Sequence, residues 1–231
     1  MNNQEIDEKV SVLKSILLKS FAVIGLLLVV SAAYMGYQSH LKAKNVDAAN
    51  LLYQAIAMET QSVGVDPAQP QVFQAEKVLA WDTAKLGAYL KILSEIDEKY
   101  SGTPTWAVAQ IRRAKIFAAQ QNLGEAEKIY QTVLAKVSNS SLYFGMASDG
   151  YAVLLENQGK NEAANKIFHD AAAQLKNPLR PLAMLGEART LGALGKSGAS
   201  ELLEKVVKEY PETSYSRRAK VLRSTLSLGA R

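Results

Sequence analysis

The sequence predicts an all-α protein in which one N-terminal transmembrane helix precedes a solenoid of helical hairpins that ends in a C-terminal capping helix. The first observation behind this prediction is a run of twenty uncharged, mostly apolar residues at positions 20–39. The second is a set of alanines that follow turns, Ala126, Ala164 and Ala199, which are 38 and 35 residues apart. A period in this range, with two helices per unit, is typical of helical-hairpin solenoids.

The first element is the apolar run at residues 20–39, which follows a short charged tail at residues 1–19. A helix of this length rises about 30 Å, the thickness of the hydrocarbon core of a bilayer. Tyr34 and Tyr37 lie near its end, where aromatic residues commonly mark the membrane interface, and Lys42 follows as a polar stop. We therefore expect this segment to anchor the chain in a membrane.

Two features of the anchor stay open at this level. The same residues fit a cleaved signal peptide, with Ser31, Ala32 and Ala33 as the small-residue cleavage motif. Three lysines precede the apolar run and two follow it closely. This difference slightly favours a cytoplasmic N-terminus and an exported C-terminal domain.

Residues 45–231 form one predicted domain, with glycine and proline at intervals suited to turns between helices. Helices at residues 47–61 and 83–100 predict a degenerate first hairpin, and we expect Phe73 and Trp81 in their long connection to pack on the core. Three better defined hairpins follow, with predicted helices at residues 104–120 and 122–136, at 142–157 and around Ala163 to Phe168, and at 181–194 and 201–210. An amphipathic segment at residues 214–228 predicts the capping helix, because a terminal repeat must present a polar outer face.

The placement of small and large side chains supports these hairpins. Alanines are expected where paired helices cross, and larger residues one turn away fill the space between successive units. The expected pairs are Ala114 with Ala126, Ala152 with Ala164, Ala188 with Ala199, Phe117 with Tyr130, and Leu155 with Phe168. In this pattern residues 104–211 resemble tetratricopeptide repeats, although Gln110 and Ser138 depart from the usual residue types. A generic helical bundle is the alternative.

Two junctions and the layout of the chain resemble envelope proteins of this repeat class. The segments that begin at Tyr100 and Tyr210 resemble the tyrosine-proline linkers of bacterial envelope tetratricopeptide proteins. The charged tail, the single span, the stretch at residues 37–49 and the small-residue hairpins resemble the YfgM type, the inner-membrane ancillary subunit of the Sec translocon. This resemblance implies a single-pass protein of the bacterial inner membrane with a periplasmic C-terminal domain. It also implies Sec translocon subunits, periplasmic chaperones or secreted proteins as partners.

The residue types that catalysis and metal binding need are scarce. The chain has no cysteine, so it forms no disulfide, thiolate zinc site or cysteine nucleophile. Its two histidines, His40 and His169, have no neighbouring residues that would complete a metal site. We expect a protein without enzymatic activity and without a cofactor or metal.

The positive charge concentrates at the C-terminus, although the formal net charge is only +5. Arg217, Arg218, Lys220 and Arg223 form a candidate basic patch. Nucleic-acid binding would need aromatic residues for base stacking beside these cations, and only Tyr215 is near, so no nucleic acid is expected. Anionic lipid or an acidic partner fits better. The other interpretation is that these residues are the solvated side of the capping helix.

The candidate protein-binding groove lies on the first helix of each hairpin, which lines the concave face in tetratricopeptide arrays. Its expected residues are Lys115, Asp149, Val153, Glu156, Asn157, Leu185 and Arg189. This mixture of apolar and charged side chains could hold an extended segment or a helix of a partner. The sequence therefore predicts a membrane-tethered interaction scaffold. The alternative is a self-associating structural or assembly factor of a cell-envelope complex, which would form homo-oligomers.

Overall fold

The computed structural model describes the backbone of residues 3–63 and 73–229 and the side chains of residues 28–59 and 73–227. The chain divides into two compact units, Met1–Asp47 and Ala48–Arg231. In the described ranges all regular secondary structure is helical. The helices are α1 (Asn3–Val63), α2 (Ala75–Leu79), α3 (Thr83–Lys99), α4 (Pro104–Ala119), α5 (Leu123–Lys136), α6 (Leu142–Asn157), α7 (Asn161–Ala172), α8 (Arg180–Ala193), α9 (Ala199–Glu209) and α10 (Ser214–Gly229).

Helix α1 joins two segments that the sequence analysis treats as separate, the apolar run at 20–39 and the helix at 47–61. No proline or glycine occurs at residues 40–47, so nothing in the local sequence ends the helix there. Within the described residues, no helix is both long enough and apolar enough to cross a membrane. Residues 20–27 of the predicted span lie outside the described side chains. The membrane anchor therefore stays a prediction.

The long connection before α3 contains a short helix that the sequence analysis did not predict, α2. Ala75 and Val78 of α2 are buried in the core, and the expected packing of Phe73 and Trp81 against that core is confirmed. The prolines of this connection, at positions 67 and 70, lie outside the described residues.

The three predicted hairpins at residues 104–210 are confirmed, and the degenerate first hairpin, 47–61 with 83–100, stays a prediction. Helix α4 packs on α5, α6 on α7, and α8 on α9, and the capping helix α10 packs on both α9 and α8. Hydroxyl side chains end the turns before α4, α6 and α10: the oxygen of Thr103, Ser141 or Thr213 accepts a hydrogen bond from the backbone N–H three residues later. Such N-caps satisfy donors that the first helical turn leaves free.

The two tyrosine junctions share one geometry. The hydroxyl of Thr103 donates to the backbone carbonyl of Tyr100, at 2.9 Å, and the hydroxyl of Thr213 donates to that of Tyr210, at 2.7 Å. Each threonine therefore bonds the end of one helix with its proton and caps the next helix with its lone pair. This dual use explains why the same residue types recur at both junctions.

The alanines expected at the helix crossings are buried. Ala114, Ala126, Ala152, Ala164 and Ala188 are all 0 % exposed. Ala199 is 9 % exposed, at the start of α9. Because the buried alanine side chains are small, the two helices of each hairpin can approach closely.

Aromatic rings of the second helices pack over glycines of the next hairpin. A Cβ atom at Gly150 would lie 2.6 Å from the Tyr130 hydroxyl oxygen, and one at Gly186 would lie 2.6 Å from Phe168 Cζ. The two rings are almost completely buried. Each glycine therefore leaves room for an aromatic side chain of the preceding unit, a pairing that the sequence analysis did not anticipate.

Candidate protein-binding surface

Four of the seven expected groove residues line one cavity. Lys115 of α4 and Asp149, Val153 and Asn157 of α6 surround a volume of about 500 Å³, which we call the groove cavity. Their positions follow from helix geometry, because residues 149, 153 and 157 are spaced by four along α6 and so share one face. Helices α4 and α6 pack against each other, which brings this face next to Lys115.

Three charged side chains line the groove cavity, Lys115, Asp149 and Glu76, and none of them makes an ion pair or side-chain hydrogen bond with another described residue. Burial raises the pKa of the Asp149 carboxyl, and the nearby positive charges of Arg189, Lys115 and Arg218 act against this rise. A partly buried carboxylate without a hydrogen-bond donor is costly for the folded protein. A ligand that supplies donors would remove part of this cost.

The groove cavity also contains a buried amide that could not be found from the sequence. The Nε2 atom of Gln158 is buried, and among the described residues it has no hydrogen-bond partner. Val153, in contrast, is an apolar side chain that is 37 % exposed. The cavity thus combines an amide donor, one positive and two negative side chains, and an exposed aliphatic surface. No local signal in the sequence marks Gln158, because the burial of its amide depends on tertiary packing.

Two further groove residues lie in a different cavity. Leu185 and Arg189 of α8 line a volume of about 400 Å³ together with Arg217, Arg218 and Val221 of α10. We call it the arginine cavity. Glu156, the seventh expected groove residue, binds Arg189: its Oε1 accepts from Nε at 2.9 Å and its Oε2 accepts from Nη2 at 2.6 Å. The structure therefore divides the expected groove into two sites.

The candidate basic patch also divides. Arg217 and Arg218 face the arginine cavity, and Arg223 instead donates from Nη1 to Glu204 Oε1 at 2.8 Å. Lys220 is exposed and does not line the arginine cavity. From the sequence the groove and the basic patch are two separate candidate surfaces, whereas the structure brings Arg189 of the groove and Arg217 and Arg218 of the patch together.

The remaining polar clusters have structural contacts. The Nδ1 atom of His169 lies 2.7 Å from Glu187 Oε1, and this hydrogen bond raises the pKa of the imidazole. The Tyr89 hydroxyl donates to Glu59 at 2.6 Å, and Arg112 binds the same carboxylate. Within the part of the chain that the structure describes, no group of three or more histidine or acidic residues could hold a metal ion.

Solved structures show a similar fold. A crystal structure of a Podosopora anserina putative kinesin light chain with nearly identical TPR-like repeats has a TM-score of 0.53 and 16 % sequence identity, and the match covers 78 % of this chain and 91 % of that chain. A crystal structure of a variant of the same protein has a TM-score of 0.54, with the same identity and coverage. No protein-family model and no curated protein matches the chain.

At 16 % identity the likeness concerns the fold alone, which is a tetratricopeptide-like helical repeat.

Proposed function

We propose that this protein is a membrane-tethered scaffold that binds a segment of another protein in the groove cavity. One observation above all supports this proposal. Four residues expected from the sequence to share a concave face line a single cavity of about 500 Å³, and its Lys115 and Asp149 have no ion-pair partner among the described residues.

The chemistry of the groove cavity fits a polypeptide. An extended segment presents backbone carbonyl groups that the amides of Asn157 and Gln158 can satisfy. Its N–H groups or a lysine side chain can donate to the carboxylate of Asp149. An apolar side chain of the segment would cover the exposed part of Val153.

The tether is the apolar run at residues 20–39, with the domain at 45–231 on the periplasmic side of the bacterial inner membrane. The three lysines before the run and the resemblance to the YfgM type support this placement. The proposed partners are Sec translocon subunits, periplasmic chaperones or secreted proteins that emerge at the membrane. Anchoring raises the effective concentration of the groove there, so a weak contact suffices for binding.

Site-specific photo-crosslinking in intact membranes tests the groove. A photoreactive residue at position 157 should crosslink to another protein, and the same residue at position 128, an exposed position on α5, should not. The crosslink should weaken in Lys115→Glu, because the change reverses the one positive charge among the three charged side chains that line the cavity. Equal crosslinking at both positions would contradict the proposal. Crosslinks at 157 only to a second copy of this chain would support the self-associating alternative.

Protease accessibility tests the tether. Protease added to spheroplasts should digest residues 45–231 and spare the N-terminal tail. A domain that stays protected until the membrane is lysed would show that the topology is wrong. A mature chain that begins just after Ala33 would establish the signal peptide instead.

A further inference from the structure

We infer that the arginine cavity is a second, separate binding site, and that it binds an acidic peptide segment that carries an aliphatic side chain. The site lies between the last repeat and the cap, and its lining includes Leu185 and Arg189 of α8 and Arg217, Arg218, Val221 and Leu222 of α10. The inference goes beyond the proposed function, since the groove cavity does not include these residues. It rests on that function only in taking a protein as the partner.

The charge of the cavity is positive. Three guanidinium groups line it. Glu156 forms an ion pair with Arg189, and the Asp149 carboxylate is near enough to interact electrostatically with Arg189 and Arg218. Arg217 and Arg218 are exposed, and neither side chain has a hydrogen bond or ion pair with another described residue. A guanidinium group presents donors in a planar fork that matches a carboxylate. Two guanidinium groups without an ion-pair partner on one cavity wall therefore favour a ligand with at least one carboxylate.

The cavity also has an apolar part, which a purely ionic ligand would leave exposed to water. Leu185 at 3 % exposure is buried beneath it, and Val221 at 65 % exposure is one of the large apolar residues that the domain leaves in solvent. An aliphatic side chain of the ligand placed against Val221 would remove apolar surface from water. This combination of guanidinium groups and an apolar surface matches a peptide that has an acidic residue close to an aliphatic one.

The spacing of the lining residues along α10 indicates a binding face, and not only the solvated side of the capping helix. Residues 217 and 218, 221 and 222, and 225 repeat at intervals of three and four, so they occupy one face of α10, and that face borders the cavity. Lys220 does not line the cavity. On this face, the two arginines without ion-pair partners lie beside the exposed side chain of Val221. Solvation of the capping helix alone does not require this arrangement.

Two other polyanions fit less well. Single-stranded nucleic acid is usually held by aromatic side chains that stack on the bases, and none lines the cavity. A membrane surface attracts basic residues on all exposed faces of a helix, because head groups form a broad layer of charge. Such binding would depend on Lys220 as much as on Arg217.

Fluorescence anisotropy of a labelled peptide tests the inference on the full chain in mild detergent. The probe alternates glutamate and leucine, and two matched probes replace glutamate by glutamine or leucine by serine. The variant Arg217→Glu/Arg218→Glu removes the two unpaired forks, and Lys220→Glu is the control for helix charge. Loss of one charge-assisted hydrogen bond corresponds to about a tenfold rise in Kd. We therefore expect the double variant to weaken binding by about tenfold or more and Lys220→Glu to change it by less than about threefold.

Each contrary result overturns a stated part of the inference. Failure of the wild type to bind the glutamate-leucine probe, or equal binding by the double variant, would show that the cavity is not the site. Equal binding of the glutamine or serine probe would refute the acidic or the aliphatic requirement. Loss of binding in Lys220→Glu, or displacement of the probe by short-chain phosphatidylglycerol or an oligothymidine at similar concentration, would indicate a general polyanion surface.

The groove and the arginine cavity can be told apart in the same assay. Lys115→Glu should keep the probe affinity. The single variant Arg217→Glu, which leaves the Arg218 charge near Asp149 in place, should keep the crosslink at position 157. If Lys115→Glu loses the probe and the double arginine variant keeps it, the peptide lies in the groove cavity. The inference then fails, and the proposed function stands.

Discussion

The contact between Gly186 and Phe168 leads to a prediction about how successive repeats are held together. Gly186 lies inside α8, and Phe168 of α7 lies directly over it with 0 % of its surface exposed. A methyl group at position 186 would lie 2.6 Å from Cζ of the ring and closer still to Cδ1 and Cε1. The guanidinium carbon of Arg189 lies 5.5 Å from the ring centroid. The ring therefore has little room to move away from a new methyl group.

The expected size of the effect follows from two opposing contributions. Replacing a glycine inside a helix by alanine stabilises the helix by about 1 kcal/mol. Overpacking a filled core destabilises a protein by about 1–3 kcal/mol. Because Phe168 is completely buried, we expect the second effect to be the larger, and Gly186→Ala should lower the free energy of unfolding by up to about 2 kcal/mol. For a chain of this size, the corresponding fall in Tm is up to about 8 °C.

The matched control is Gly87→Ala, inside α3, where a new Cβ would have nothing within 4 Å. Only the helix contribution remains there, so Tm should rise by about 2–4 °C. Thermal unfolding followed by circular dichroism measures both variants. In a Phe168→Leu background, Gly186→Ala should lose its destabilising effect, which a double-mutant cycle detects as coupling. If Gly186→Ala raised Tm as much as Gly87→Ala does, the close packing inferred at this glycine would be wrong.

Three further predictions concern other parts of the domain. Ala164→Phe should lower the free energy of unfolding by about 1–3 kcal/mol in urea unfolding, because Ala164 is completely buried, and an unchanged midpoint would show that it is not at the crossing. Asp149→Asn should raise Tm at pH 7, because burial raises the pKa of this carboxyl and so disfavours its charged form. The gain should shrink as the pH falls from the raised pKa of the folded state towards the ordinary carboxyl pKa of 3.8, below which Asp149 is neutral in both the folded and the unfolded chain, and a gain independent of pH would point to another cause. Arg180→Met should lower the free energy of unfolding by about 1.5–3 kcal/mol. Arg180 donates from Nε to the Ala172 carbonyl at 2.9 Å and from Nη1 to Glu209 at 2.5 Å, and the variant loses both hydrogen bonds. A variant as stable as the wild type would show that these bonds add little to stability.

The helices of the repeats could be predicted from the sequence because their determinants are local. The structure starts α4 at Pro104 and α6 at Leu142, as expected, since a threonine or serine directly precedes each and caps it. Where local signals were absent, prediction did less well. No residue between the apolar run and position 47 breaks the helix, so α1 continues through a boundary that the sequence analysis had placed there. The short helix α2 has only five residues, too few for a recognisable period.

The candidate site was predicted less completely, for a geometric reason. The spacing of Asp149, Val153 and Asn157 by four residues shows that they share a face of α6, and in the structure they line one cavity. Sequence spacing does not say which residues of other helices that face meets. The separation of Arg189 from the groove cavity therefore appeared only in the structure.

The sequence by itself determined the helical-hairpin architecture, the alanines of the crossings and the cap, because each depends on contacts within a few residues or within one hairpin. Only the tertiary structure decided that Phe168 rests on Gly186 and that Arg189 meets Arg217 and Arg218 at one cavity. Those relations depend on how far each hairpin is rotated and shifted against the next. The rotation results from many side-chain contacts along the whole interface, and no single repeat of the sequence contains it.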